Sequence, residues 1–223
     1  LKNERRQAAS YVTGANIAEK SREWKKALGK DERRRLELRP GRAGLLVVDM
    51  QELFLDMKSP SYLPSARAIL LNVRRLVDRF RAAGRPVYFT YHAHDNPADG
   101  SLMTLWWKKV CLAGTREARI SEVLEPGNDR VFRKCRYNAF SQPALEQALI
   151  ADRVEELVVC GVATNLCVES TVRDAFDKGL KTFVVLDAAA ARSEDLHLAS
   201  LKNLAHGFST LLTADEVAAA FKP

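Results

Sequence analysis

Three residues spread along the chain carry side chains that could together run nucleophilic catalysis: Asp49, Lys134 and Cys167. A thiol attacks as its thiolate, a carboxylate can take the thiol proton and return it to a leaving group, and an ammonium favours the anionic sulfur. Each residue also has an ordinary reading. Asp49 could cap a turn, Lys134 is one of four cations in RVFRKCRY, and Cys167 could be one more buried small hydrophobe. What the three share is place, because each stands where a predicted strand ends.

The elements that must position them follow from periodicity. Leu157 to Cys160 is an apolar, β-branched run closed by Gly161, which reads as a buried parallel strand. From Cys167 onward, Val168, Val172, Ala175 and Phe176 fall on one helical face that Gly179 can end, so the thiol sits at a predicted helix start. Unpaired N–H groups and the positive dipole end lower a thiol pKa there. Asp49 closes the run RAGLLVVD from Arg42, and Lys134 follows a short strand from Asp129 to Arg133. Further strands are predicted at Pro86–Tyr91, Lys181–Leu186 and near Phe208–Leu212.

Between the strands lie predicted helices. One is capped by Ser65, carries Ile69, Val73, Leu76, Val77 and Phe80 on one face, and stops at Gly84. Others start at Ser141, with Pro143 in the first turn, and at Ser193, running to about His206. The last opens on a capping box of Thr213 and Glu216. From Ser101 to Gly127 the pattern predicts loop and short helix, with Leu102, Met103, Leu105, Trp106 and Trp107 divided between core and a pocket wall. The alternation predicts an α/β fold, a Rossmann-like three-layer sandwich around a six-stranded parallel sheet. In such a sheet all three polar residues emerge on one edge. Neither a P-loop nor a GxGxxG fingerprint is present.

Composition narrows the function classes. At 223 residues, close to half of them apolar, the chain can bury a substantial core. The net charge of +7 suggests nucleic acid until it is located. Residues 1–42 hold thirteen Lys/Arg against six Asp/Glu, and the remainder carries 22 of each sign. The basicity therefore belongs to an N-terminal arm, residues 1–41, rather than to the domain, residues 42–223, and no nucleic-acid partner is expected. The arm has helix-capable stretches at Ala18–Leu28 and Asp31–Leu38 and is expected to pack on its own domain or a neighbouring subunit. No apolar run is long enough to span a bilayer, so no membrane partner is expected. Four cysteines, Cys111, Cys135, Cys160 and Cys167, form no CxxC pair and point to a reducing, cytoplasmic setting.

VVDMQ followed by Phe54, then RKCRYNAF, then GVATNLCVESTVRDAF are similar to the three signature segments of the isochorismatase-like cysteine hydrolase superfamily. The resemblance covers residues 42–215. It implies a six-stranded parallel sheet, an Asp49–Lys134–Cys167 triad, a cis peptide at Val162–Ala163 and a homo-oligomer. With those roles, Lys134 lowers the Cys167 pKa, Asp49 shuttles the proton, and the N–H groups of Cys167 and Ala163 hold the oxyanion formed on an amide carbonyl. A thioester follows, and water hydrolyses it. This reading expects rapid, selective alkylation of Cys167 at neutral pH.

Departures from relatives bear on the substrate. Nicotinamidases of the superfamily bind a metal through an Asp-x-His pair and a second His. Here the second strand ends in His92-Ala93-His94, and Leu55-Asp56 after Phe54 brings no His at the matching spacing. No metal and no other cofactor is therefore expected, the two histidines being read as hydrogen-bonded or solvated. Siderophore-pathway isochorismatases cleave a vinyl ether without a cysteine and carry Gly at the nucleophile position, so Cys167 points to the thiol branch. RYNAFSQPALEQAL and DLHLASLKNL nevertheless resemble the ether-cleaving branch equally well. The expected function is hydrolysis of a C–N bond in a small non-peptide amide or carbamoyl compound. A vinyl ether hydrolase is the alternative, and a non-catalytic binding or scaffold protein on the same fold is the third reading. Phe54, Tyr91, His92, Trp107, Tyr137 and Phe140 are the candidate substrate contacts, each with core packing as its competing role.

Overall fold

A computed structural model describes residues 10–29, 35–99 and 101–221. Strands β1 (Ala43–Val48), β2 (Val87–His92), β3 (Arg130–Lys134), β4 (Glu156–Val162), β5 (Lys181–Ala190) and β6 (Thr210–Leu212) form one sheet in the order β3-β2-β1-β4-β5-β6. Every neighbouring pair is parallel. The order reverses between β1 and β4, which opens a crevice at their carboxyl ends. The helices are α1 (Ile17–Leu28), α2 (Glu52–Leu55), α3 (Pro64–Ala82), α4 (Leu102–Trp107), α5 (Pro143–Ala151), α6 (Glu169–Asp177), α7 (Glu194–Gly207) and α8 (Ala214–Ala220).

Because successive strand residues point to opposite faces, β1 feeds two cores. Leu45 and Val47 pack with Ile69, Val73, Leu76, Val77 and Phe80 of α3 and Val217 of α8. Leu46 and Val48 pack with Leu145 of α5, Val172 of α6, Leu201 of α7 and Trp24 of α1. Each such fully buried large side chain contributes about 1.5–3 kcal/mol of transfer free energy. The helical face predicted for α3 is thus the one that is buried. The capping box of α8 forms as expected, with Thr213 and Glu216 bonding each other's backbone.

Several local expectations are corrected. Ser65 does not cap α3: Leu63 holds the cap position, Pro64 supplies the preset first turn, and the Ser65 hydroxyl donates to the Ala191 carbonyl over 2.7 Å. Phe176 is 47% exposed and meets Phe208 edge-on instead of facing inward. Leu102, Leu105 and Trp106 of α4 are exposed, so they form no core. Of the helix expected at Asp31–Leu38, residues 31–34 lie outside the described residues and 35–39 are not helical. There the Leu36 N–H donates to Thr210 Oγ1 and the Arg39 N–H to Glu156 Oε2, bonds a helix would forbid.

The N-terminal segment packs on its own chain. Val12, Trp24 and Leu28 are buried in the second core, and Lys25 pairs with Glu216 of α8. Among the described residues, no helix is long and apolar enough to cross a membrane.

Candidate active site

Asp49 follows β1, Lys134 ends β3 and Cys167 follows β4, so all three rise from the carboxyl edge of the sheet. Two of these positions need special backbone. Gly161 pairs with Val48 at φ 110°, and a Cβ there would lie 2.0 Å from the Val48 carbonyl oxygen. Only glycine lets β4 press against β1 just below the site. Asp49 itself has left-handed backbone, at φ 52°.

Lys134 stands two strands away from β1, roughly 10 Å at the usual strand spacing. Its side chain bridges that distance over β2. Nζ donates to Asp49 Oδ2 at 2.6 Å, to the Arg136 carbonyl at 3.1 Å and to Cys167 Sγ at 3.3 Å, which uses all three ammonium protons. Asp49 and Lys134 are fully buried and Cys167 is 6% exposed. Burial works against the Lys134 ammonium, but Asp49 and Cys167 more than offset it and leave its pKa raised.

The thiol departs from the sequence expectation. Burial pushes Cys167 up to about 12; Lys134 pulls down, and the Asp49 carboxylate opposes it. The two neighbouring charges act in opposite directions and desolvation is the largest influence, which favours the neutral thiol. Burial therefore sets a direction opposite to the lowered pKa expected from the helix start. The local backbone differs as well. Thr164–Val168 is a single π-helical turn, and α6 begins only at Glu169. Cys167 therefore belongs to a wide turn ahead of the helix, where π geometry often marks functional sites. The peptide bond between Val162 and Ala163 is cis.

The remaining candidate contacts fall into four groups. Trp107 Nε1 donates to Tyr137 Oη at 2.8 Å, joining α4 to the segment after β3. Phe140 is 8% exposed in the same core as Cys167, with the Lys178 ammonium over its ring. Phe54 and Tyr91 pack partly buried around Leu53, Ala93, Cys111 and Ala118. His92 is buried with its Nε2 3.2 Å from His94 Nε2, and His94 Nδ1 is 2.7 Å from Asp99 Oδ2. Burial first, then Lys134, lowers the His92 pKa to about 4, so the ring is neutral.

That pair does not supply the Asp-x-His and second His of a nicotinamidase metal site. Two imidazoles face each other at hydrogen-bond distance with a carboxylate behind one of them. Among the described residues no group of three or more His, Cys, Asp or Glu is placed to hold a metal ion.

Sequence reasoning missed the residues that fasten the three together. Thr90 Oγ1 donates to Asp49 Oδ1 at 2.8 Å. Gln51 clamps the end of β2, accepting from the His92 N–H at 2.6 Å and donating to the His92 and Glu117 carbonyls, each at 3.1 Å. Thr171 Oγ1 donates to the Cys167 carbonyl at 2.6 Å and accepts from the Ala139 N–H at 3.0 Å. Thr90 had one signal, its even spacing from His92 along a strand; Gln51 and Thr171 had theirs in lying within VVDMQ and GVATNLCVESTVRDAF.

Comparison with known proteins converges on one family. The family profile described as Isochorismatase domain matches residues 43–216. Nicotinamidase 3 of Arabidopsis thaliana is 40% identical over 179 residues, covering 78% of this chain and 86% of that protein. Enterobactin synthase component B of Escherichia coli (strain K12) is 31% identical over 180 residues, 80% of this chain but 63% of its own length. Among solved structures, a cysteine hydrolase from Pseudomonas syringae pv. phaseolicola 1448A superposes with a TM-score of 0.80 at 27% identity, over 84% of this chain and 95% of that one.

Proposed function

The chain belongs to the isochorismatase family, and we propose that within it the protein is a cysteine hydrolase of small non-peptide amides that works through a thioester on Cys167. The observation that carries this reading is the single ammonium of Lys134, 2.6 Å from a buried carboxylate and 3.3 Å from a buried sulfur. An ether-cleaving site that uses no thiol has no need of that second contact.

The chemistry follows from the resting charges. Asp49 takes the Cys167 proton as the sulfur closes on the substrate carbonyl, and Lys134 then faces a thiolate instead of a carboxylate. Because the proton moves inside the group, its net charge is unchanged and no burial penalty is added. The S–C bond forms, the carbonyl electrons pass to oxygen, and the N–H groups of Ala163 and Cys167 stabilise that oxyanion. As the oxyanion collapses the C–N bond breaks, and Asp49 gives its proton to the departing nitrogen, releasing ammonia or an amine. Water enters next. Asp49 removes one of its protons, the hydroxyl adds to the thioester, the S–C bond breaks, and the proton returns to sulfur. The balance is amide plus water to carboxylic acid plus amine.

Phe54, Tyr91, Trp107, Tyr137 and Phe140 form the apolar surroundings, and neutral His92 is the polar contact for the substrate. Nicotinamide heads the panel because of the 40% identical relative. All four cysteines are free, which suits a reducing compartment, and we expect a homo-oligomer, to be checked by sedimentation velocity. The deciding experiment is ammonia release from nicotinamide and from linear amides and carbamoyl compounds, with vinyl ether cleavage measured in parallel. Ammonia release that depends on Cys167 supports the reading. Ether cleavage alone, undiminished in Cys167→Ala, replaces it with the vinyl ether hydrolase reading.

A further inference from the structure

The π turn that carries Cys167 is gripped by α7 through one residue. Thr164 opens that turn and is fully buried. Its Oγ1 lies 2.9 Å from His197 Nδ1. Its carbonyl lies 3.0 Å from Ser200 Oγ, which in turn is 2.5 Å from Glu169 Oε2 at the start of α6. His197 and Ser200 share one face of α7, three residues apart, so a single helix face meets both polar groups of Thr164.

His197 is in turn roofed by residues outside the family domain. The Trp24 ring packs edge-on against the imidazole at 4.6 Å between centroids, and the Tyr11 ring lies at 6.0 Å. Both rings are fixed by hydrogen bonds back to the domain. Trp24 Nε1 donates to Glu194 Oε1 at 2.8 Å, and Tyr11 Oη accepts from the Ala191 N–H at 3.1 Å. His197 is fully buried as a result. A side-chain hydrogen bond kept from water has no competing partner and holds one geometry. Nucleophilic attack requires the sulfur within a few tenths of an ångström of its place, and support behind the turn sets that place.

We propose that His197 is a positioning residue for Cys167, holding Thr164 so that the nucleophile turn keeps its shape, and that α1 is the cover that keeps this grip dry. The inference rests on reading Cys167 as the nucleophile. It gives the N-terminal segment a role in turnover, although residues 43–216 alone make up the family domain.

The test is steady-state ammonia release by the chain with its N-terminal segment in place, at a temperature where thermal melts show each variant folded. His197→Leu should lose about 10- to 100-fold in kcat with KM within about twofold of wild type. His197→Asn, whose side-chain oxygen can stand where Nδ1 stands, should recover kcat to within about fivefold. Trp24→Ala should fall about tenfold in kcat, and Trp24→Phe, which keeps a ring over the imidazole, should stay near wild type. A residue that only stabilised the fold would lower the melting temperature of these variants and leave kcat alone.

Folded His197→Leu with wild-type kcat overturns the proposal, as does His197→Asn no better than His197→Leu. Should His197→Leu fail to fold, the Trp24 pair decides, and equal kcat in Trp24→Ala and Trp24→Phe overturns it. Cys167→Ala separates the two levels. If it is inactive while His197→Leu is unimpaired, only the positioning role is lost; if it turns over normally, the nucleophile reading falls first.

Discussion

Lys134 donates to Asp49 across an intervening strand, with 2.6 Å between Nζ and Oδ2 and neither group open to solvent. The pair is a buried ion pair whose members hold each other's charge. Removing one member leaves an uncompensated charge, which costs about 3–5 kcal/mol. Lys134→Met is therefore expected to lower the unfolding free energy by that amount in urea titrations at neutral pH. Asp49→Asn added to Lys134→Met should restore part of it, and strict additivity of the two losses would contradict the coupling.

Gly161 is predicted to be irreplaceable. An added Cβ meets the Val48 carbonyl oxygen at 2.0 Å, in backbone at φ 110° that other residues avoid. Gly161→Ala should either give no soluble protein or lose more than about 3 kcal/mol, because strand pairing and backbone conformation are both violated. A Gly161→Ala protein with a wild-type melting temperature would show that β1 and β4 do not lie this close.

The thiol pKa of about 12 gives a kinetic signature. In the free enzyme the thiolate fraction of Cys167 rises about tenfold per pH unit below that value, so its alkylation by iodoacetamide should climb from pH 7 past pH 9 without levelling. Site-resolved mass spectrometry reads it. A plateau below pH 8 would mean that Lys134 outweighs burial.

Acid stability should be set largely by two neutral histidines. His92 and His197 both titrate at about 4, chiefly because of burial, against 6.5 when unfolded. Folded pKa values below the unfolded ones give stability that is full above pH 6.5 and lost as pH falls through 4. At 1.36 kcal/mol per unit, each histidine contributes about 3 kcal/mol over that window. Asp187, raised to about 6 mainly by burial, runs the opposite way and offsets part of the loss. Urea midpoints should therefore drop between pH 7 and 4.5, and His92→Asn should flatten the slope; an unchanged slope would contradict a buried neutral His92.

Much of this arrangement was legible in the sequence because it depends on local runs. The apolar strands fix where Asp49, Lys134 and Cys167 emerge, and a parallel sheet sends all three to one edge. The phase of the turn at Cys167 was not legible. Val168 and Val172 fit a helix from Cys167 as well as a π turn, so the apolar spacing does not choose between them. The direction of the thiol shift was hidden too, since it depends on how deeply the sulfur is buried and on Asp49 opposing Lys134. Nor could the sequence tell that Trp24, more than a hundred residues away, would roof a histidine behind the nucleophile.

The proposed function requires the sulfur of Cys167 to become covalently bonded to the acyl group of an amide substrate. Rapid acid quench of the enzyme during turnover of an accepted amide, followed by intact-protein and peptide mass spectrometry, reads this directly. A transient adduct equal to the amide less its amine is expected, confined to Cys167, with neither adduct nor ammonia in Cys167→Ala. Turnover of the amide by Cys167→Ala, or an acyl group found on any other residue, would contradict it.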